Sequence, residues 1–202
     1  MTVTTQAQRA TTQVNIAGMQ PGIAPPGFSF ARIGQGAPGD WRVVADPNAA
    51  GQKAIAQISQ DRTDYRFPLA IYQLVSARNV DVVVRFKPVG GTVDQAGGVA
   101  VRLADPDDYY VVRANALEDN VRFYRVVSGS RQQIQSASLK VAANQWHTLG
   151  LRAEGDRFAV SFDGKPLFTA QDSTFVSPGK VALWTKADSV THFDTIAITP
   201  LD

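Results

Sequence analysis

Three features of the sequence predict an all-β fold, a two-sheet antiparallel sandwich of the jelly-roll kind. Runs rich in Val, Ile, Thr, Tyr and Phe recur between turn signals spaced about 8 to 12 residues apart. No stretch after Gly27 carries firm helical periodicity, which argues against an α/β enzyme fold. A chain of 202 residues is long enough to bury a substantial core in one such unit.

In chain order, residues 1–20 are polar and rich in Thr and Gln, and PGIAPPG at 21–27 blocks regular structure. Residues 1–27 therefore read as a tail or linker with a short strand at 12–16, whose loss matters little, and the domain proper is 28–202. Phe28 and Phe30 alternate with small residues, a glycine-rich turn leads to a strand at Trp41, and residues 52–59 form the next. Pro68 lacks a ladder donor and so marks a bend or an edge. In NVDVVVRFK (79–87), Val80, Val82 and Val84 fall on one side, Asp81, Val83 and Arg85 on the other. Gly90, Gly91, Gly97 and Gly98 bracket a loop whose polar tip, Asp94 and Gln95, suits either a site rim or plain solvent. Further strands follow at 131–138, 144–152 and 157–162, then, after the Asp163-Gly164 turn signal, from 166, at 180–185 and at 192–199.

The stretch 97–127, GGVAVRLADPDDYYVVRANALEDNVRFYRVV, organises the rest. It reads as three antiparallel strands joined by turns at 105–108 and 116–119. If both are four-residue loops, Ala104 faces Tyr109 and Asn115 faces Asn120. Arg102, Val111 and Tyr124 then form one row and Arg113 and Arg122 the next. Val99, Val101, Leu103, Tyr110, Val112, Val121 and Phe123 fall on the opposite, core face. Adjacent arginines repel unless an acid, a ligand or water separates them, and Glu118 and Asp119 are the only acids near in sequence. Two readings follow: a solvated outer face neutralised by those acids, or a platform for a polar ligand.

The 20 Lys and Arg against 18 Asp and Glu give a formal charge of +2, with no long basic run, so no nucleic-acid or membrane surface is expected. No apolar run approaches the roughly 18 residues of a membrane span. Cysteine is absent, which excludes disulfides, zinc–thiolate sites and a cysteine nucleophile. The first residues lack a charged region followed by an apolar one, which fits a cytoplasmic chain and equally a mature exported one.

The segments NVDVVVRFKPVGG, GGVAVRLADPDDYYVVRANALEDNVRFYRV, QWHTLGLRAEGDRFAVSFDGKPLF and GKVALWTKADSVTHFDTIAI together resemble the concanavalin A-like lectin/glucanase superfamily. Within it they are most similar to the bacterial 3-keto-disaccharide hydrolase domain, itself laminin G-like. The resemblance covers residues 28–201, and YYVVRANALEDNVRFY and LWTKADSVTHFD are its most distinctive parts. It implies a jelly roll with a ligand site on a concave sheet, in a periplasmic or secreted protein. Trp184 and Lys186, on the opposite parity from Val181, Leu183 and Thr185, extend the same platform. The expected ligand-binding set is Arg102, Arg113, Asn115, Asn120, Arg122, Tyr124, Trp184 and Lys186. Amides and guanidinium groups match sugar hydroxyls, and Tyr124 or Trp184 offers a ring to the apolar face of a pyranose, although Trp184 reads equally as core or interface packing. The arginine excess leaves an anionic saccharide open as well.

Glycoside hydrolysis needs two carboxylates about 5 to 9.5 Å apart across the scissile bond, and the acids that glucanases of this superfamily carry on one strand are missing here. Glu118 and Asp119 are the remaining candidates for a catalytic base. His147 reads as structural. Asp194, after His192 and Phe193, resembles a calcium-binding position of the superfamily, but one oxygen ligand is far from the roughly six to eight calcium takes, so no metal is expected. No nucleotide or other cofactor motif occurs, and no cofactor is expected. The leading expectation is a carbohydrate-binding module; the alternatives are a glycoside-acting enzyme of the 3-keto-disaccharide type and a protein-interaction domain.

Overall fold

A computed structural model describes residues 10–201. The strands in chain order are β1 (Thr12–Gln13), β2 (Phe28–Gly34), β3 (Trp41–Ala45), β4 (Lys53–Gln57), β5 (Arg66–Ala77), β6 (Val80–Gly90), β7 (Ala96–Asp105), β8 (Asp108–Asn115), β9 (Asn120–Val127), β10 (Ser130–Ser138), β11 (His147–Glu154), β12 (Arg157–Phe162), β13 (Lys165–Gln171), β14 (Gly179–Trp184) and β15 (Val190–Pro200). Sheet A runs β13-β12-β11-β6-β15-β4-β3, with β1 also on β15, and sheet B runs β10-β9-β8-β7-β14-β5-β2. All the pairs are antiparallel, as the jelly-roll reading requires.

The two sheets face each other across one core, because each strand alternates its side chains and only one set can leave water. Val82, Val84, Phe86, Leu149, Leu151, Val160 and Ile196 from sheet A meet Val99, Val101, Tyr110, Val112, Phe123 and Leu183 from sheet B, all at most 2% exposed. Burying each of the larger ones contributes about 1.5–3 kcal/mol. Among the described residues no helix is long and apolar enough to cross a membrane.

Three expectations are revised. Part of the segment read as a tail docks: β1 pairs with Ile198 and Ala197 of β15, Ile16 and Met19 are buried in the core, and the Lys53 ammonium donates to the carbonyls of Ala17 and Met19, each at 2.8 Å. The short strand read at 12–16 is present as β1 at Thr12–Gln13, but two isolated apolar residues carry too little periodicity to show that the segment docks. Residues 1–9 lie outside the described residues. Pro68 sits one strand in from an edge; its carbonyl accepts from Thr185 N, just past the end of β14, so its missing N–H faces a place where the ladder has stopped.

The third revision touches the site. Asp105 pairs with Asp108, so the β7–β8 turn has two residues and not four. The shorter turn keeps the expected register, and what changes it is a bulge in β7 between Val101 and Asp105, at Arg102, whose φ is +52°. It is accommodated against β14 at Gly179, where a Cβ would lie 2.4 Å from the Arg102 carbonyl carbon. Beyond the bulge the parity flips. Leu103 moves to the outer face of sheet B, and Arg102 leaves it.

Candidate functional site

The outer face of sheet B is built from the strands the sequence pointed to. Arg113 lies opposite Arg122, and Asn115 opposite Asn120, across a four-residue turn of the expected length. Tyr109, Val111, Tyr124, Ala182 and Trp184 lie on this face, packed with Phe67 and Leu69 of β5. Gly98 of β7 keeps the centre low: a Cβ there would meet Val112 O at 2.6 Å and Arg113 Cβ at 2.9 Å.

Two regions divide the face. One is a polar network. Arg113, 2% exposed, donates to Glu118 at 2.8 Å, to the Asn120 side-chain oxygen, and to the Tyr124 hydroxyl at 3.4 Å. Glu118 also receives Asn120 at 3.1 Å and lies 3.4 Å from Arg122. Beside it, Lys186 lies 2.6 Å from both Asp64 and Asp94, and the Asn115 amide donates to Asp94. The buried part of the network is sealed; the Glu118, Arg122 and Asp64 side chains, 37%, 36% and 73% exposed, form its open edge.

The loop that delivers Asp94 is held by Asp188. Its carboxylate accepts from the backbone N–H of Thr92, Val93 and Asp94 at 2.7–3.0 Å and from the Thr92 hydroxyl at 3.0 Å. Burial pushes Asp188 up, but these bonds outweigh it and hold it below the usual carboxylate range. Gly91 is required at the neck of the loop, with φ of +134° and Asp94 O where a Cβ would be.

The second region is aromatic. Phe67 and Trp184 stack at 5.5 Å, and Trp184 Nε1 donates to the Tyr109 hydroxyl at 3.2 Å. The Arg131 guanidinium, from β10, lies 4.7 Å over Phe67, 4.6 Å over Tyr124 and 5.9 Å over Trp184. Tyr65 stands edge-on to Phe67 at 4.8 Å, half exposed, with its hydroxyl donating to Gly129 O at 2.7 Å.

Burial acts first on each charge in the polar network, and the neighbours then decide the outcome. Glu118 is pushed up by burial, but Asn120 and Arg113 outweigh that and hold it below its ordinary range. Lys186 is lowered by burial, yet Asp64 and Asp94 keep it above its ordinary value. In Asp94 burial wins and the carboxyl is raised.

A search of curated protein sequences returns no match. The family model "Galactocerebrosidase, C-terminal lectin domain" matches residues 62–201. The chain belongs to this lectin-domain family. Its fold is also that of solved structures of low identity. The carbohydrate binding module CBM66 from Bacillus subtilis has a TM-score of 0.64 at 22% identity, over 84% of this chain and 94% of that one. A Bacillus licheniformis β-glucanase has 0.59 at 13%, over 96% and 100%. Domain 4 of AbnA, an extracellular arabinanase from Geobacillus stearothermophilus solved with arabinotriose, has 0.57 at 15%, over 85% and 82%. These likenesses agree with the concanavalin A-like superfamily that the sequence resembles.

In this lectin-domain fold the sequence-selected residues divide. Arg113, Asn115, Asn120, Arg122, Tyr124, Trp184 and Lys186 share the outer face of sheet B. Arg102 does not: it is 1% exposed and donates to the carbonyls of Arg78, Phe175 and Gly155, bracing one end of the sandwich. Trp184 is fully buried, so its ring is not open for stacking. Asp119 turns away from the network to Lys140 at 3.0 Å and Val141 N at 3.1 Å. Held ionised by Arg113 and Asn120, Glu118 is poorly suited to carry a proton. His147 is fixed between Asp163 and Ala142 O. Asp194 holds Ala50 N and Arg85, and no group of three or more His, Asp or Glu poised for a metal occurs among the described residues.

Sequence reasoning missed Asp64, Tyr65, Arg131 and Asp188. Arg131 carried a weak signal, since β10 follows β9 by a tight turn. The others come from loops that only the fold brings to this face.

Proposed function

We propose that the outer face of sheet B binds carbohydrate, through the network Arg113–Glu118–Asn120–Arg122 and Lys186–Asp94–Asp64. The observation that carries this reading is the open edge of the network, where the Glu118, Arg122 and Asp64 side chains stay 37%, 36% and 73% exposed beside the half-exposed Tyr65 while their buried partners hold them in place. Alternating fixed donors and acceptors of this kind suit vicinal hydroxyls, each of which both gives and takes a hydrogen bond. The half-exposed Tyr65 beside Asp64, rather than Trp184, offers the ring for the apolar face of a sugar. Membership of a lectin-domain family and the fold of a carbohydrate binding module support the reading. Export to the periplasm or medium belongs to the same proposal.

A glycan array followed by calorimetry tests it. Glu118→Gln keeps the shape but removes the charge that orients both arginines, and affinity for the bound glycan should fall at least about tenfold, or ~1.4 kcal/mol. An array without a hit, or an unchanged affinity in Glu118→Gln, sinks the proposal.

A further inference from the structure

Charge on the outer face of sheet B is not balanced everywhere. The cations of the polar network each meet a carboxylate, whereas among the described residues no carboxylate lies within 4.0 Å of the Arg131 guanidinium. Its Nε is buried without a hydrogen-bond partner. Of the nearby turn acids, Asp105 accepts from Asp107 N at 2.8 Å and Asp108 from Ser128 N at 2.9 Å, while the Asp107 carboxylate lies against Gly129 and forms no ion pair with Arg131. Three rings, Phe67, Tyr124 and Trp184, fix the plane of the guanidinium from below. A stacked guanidinium presents its remaining donors as a planar fork, the geometry that takes an oxyanion in two hydrogen bonds, and its order is already set before a ligand arrives.

Tyr124 joins this group to the polar network. Its hydroxyl is 3.4 Å from Arg113, whose guanidinium carbon lies 5.9 Å from the ring centroid, while that of Arg131 lies 4.6 Å from the same centroid. One saccharide seated on the network therefore reaches Arg131 with its next substituent.

We propose that Arg131 is an anion-recognition residue, selecting saccharides that carry an oxyanion, a uronic carboxylate or a sulfate ester, beside the hydroxyls read by the Arg113–Glu118 network. This rests on the carbohydrate reading above and names the substrate class of that site. The network supplies contacts common to all glycans, and Arg131 supplies the difference between charged and uncharged ones.

The test is an array of matched glycans, each neutral oligosaccharide printed beside its uronic and its sulfated counterpart, with affinities of the hits measured by calorimetry. The charged member should bind at least about tenfold more tightly than its neutral twin at low salt, and the ratio should shrink as ionic strength rises. In Arg131→Gln the ratio should drop to about one while the neutral glycan binds as before, which also shows that the variant is folded. If that variant does not fold, Arg131→Lys, which keeps the charge but loses the planar fork, should cut the ratio at least about threefold. The uronic and sulfated arms tell which oxyanion is preferred. Equal binding of charged and neutral twins, or a ratio untouched by either variant, overturns the role of Arg131 and leaves carbohydrate binding standing. An array with no hit of any kind overturns both.

Discussion

On the outside of sheet A, Arg85 and Lys87 lie 4.8 and 5.0 Å over the Trp146 ring, while on the outside of sheet B Arg131 lies over Tyr124, Phe67 and Trp184. Both faces thus stack cations on aromatic rings. They part in what the cations do next. Arg85 reaches Asp194 at 2.6 Å, and that carboxylate also takes Ala50 N at 2.7 Å; Lys87 reaches Asp46 at 2.5 Å, and that one also takes Asn48 N at 3.1 Å. Both acids of this cluster, Asp194 and Asp46, pin the loop between β3 and β4, so the cluster is a fastener for backbone. In the polar network on sheet B, Glu118, Asp94 and Asp64 oppose side-chain cations, and among the described residues no carboxylate lies within 4.0 Å of the Arg131 guanidinium. What separates the two clusters is that the sheet A carboxylates are buried on backbone, the Asp194 and Asp46 side chains 0% and 5% exposed, whereas on sheet B Glu118 and Asp64 stay exposed at an edge.

Asp194→Ala should give the largest effect of the predictions that bear on this difference. It strips the buried partner from Arg85 and leaves Ala50 N without an acceptor, which should cost about 2–3 kcal/mol, read as a lower urea midpoint at unchanged m-value. Glycan affinity of the folded fraction should stay as in the parent. A groove of about 410 Å³ lined by Gln13, Asn15, Gly51 and Thr195 lies beside Asp194. Loss of glycan binding with little loss of stability would therefore move the ligand from sheet B to that groove.

How far such distinctions were readable beforehand depends on the range of the interaction. The β8–β9 ladder was legible because a four-residue turn sets its register locally, and with it the meeting of Arg113, Asn115, Asn120 and Arg122. Arg102 was misplaced because β7 carries a bulge there, and a bulge turns the side chains around it away from the faces that plain alternation assigns. Trp184 reads equally as a stacking ring or as packing, and the sequence does not choose between them for a different reason: Phe67 and Arg131, which cover it, lie 117 and 53 positions away in the chain, and alternation says which face a residue is on but not what is laid over it. The anchoring of Asp94 by Asp188 joins two loops nearly a hundred residues apart, beyond anything periodicity records.

That anchor supports a prediction of intermediate size. Asp188→Asn retains one acceptor oxygen but turns an amide toward backbone N–H groups, and should cost about 1–2 kcal/mol. As the loop carries Asp94 away from Asn115 and Lys186, glycan affinity should fall about tenfold as well. If stability drops while affinity holds, the loop braces the fold, as on sheet A, and does not shape the site.

The smallest effect is a pH dependence on the sheet A side. His192 Nδ1 lies 2.8 Å from Asp46, with Lys87 on the same carboxylate. Burial lowers the His192 value below 6.5; Asp46 opposes this and Lys87 adds to it, so the folded imidazole stays neutral where an unfolded one is already half protonated. The unfolded chain then binds more protons than the folded one in that interval, and stability rises with pH there. His192 therefore contributes stability that is complete above pH 6.5 and is lost as pH falls toward its lower folded value. Urea midpoints at pH 7.5 and 5.5 should differ in the parent and differ less in His192→Phe. An equal difference in both would assign the slope to other groups, and would leave the Asp46 cluster a fastener indifferent to pH.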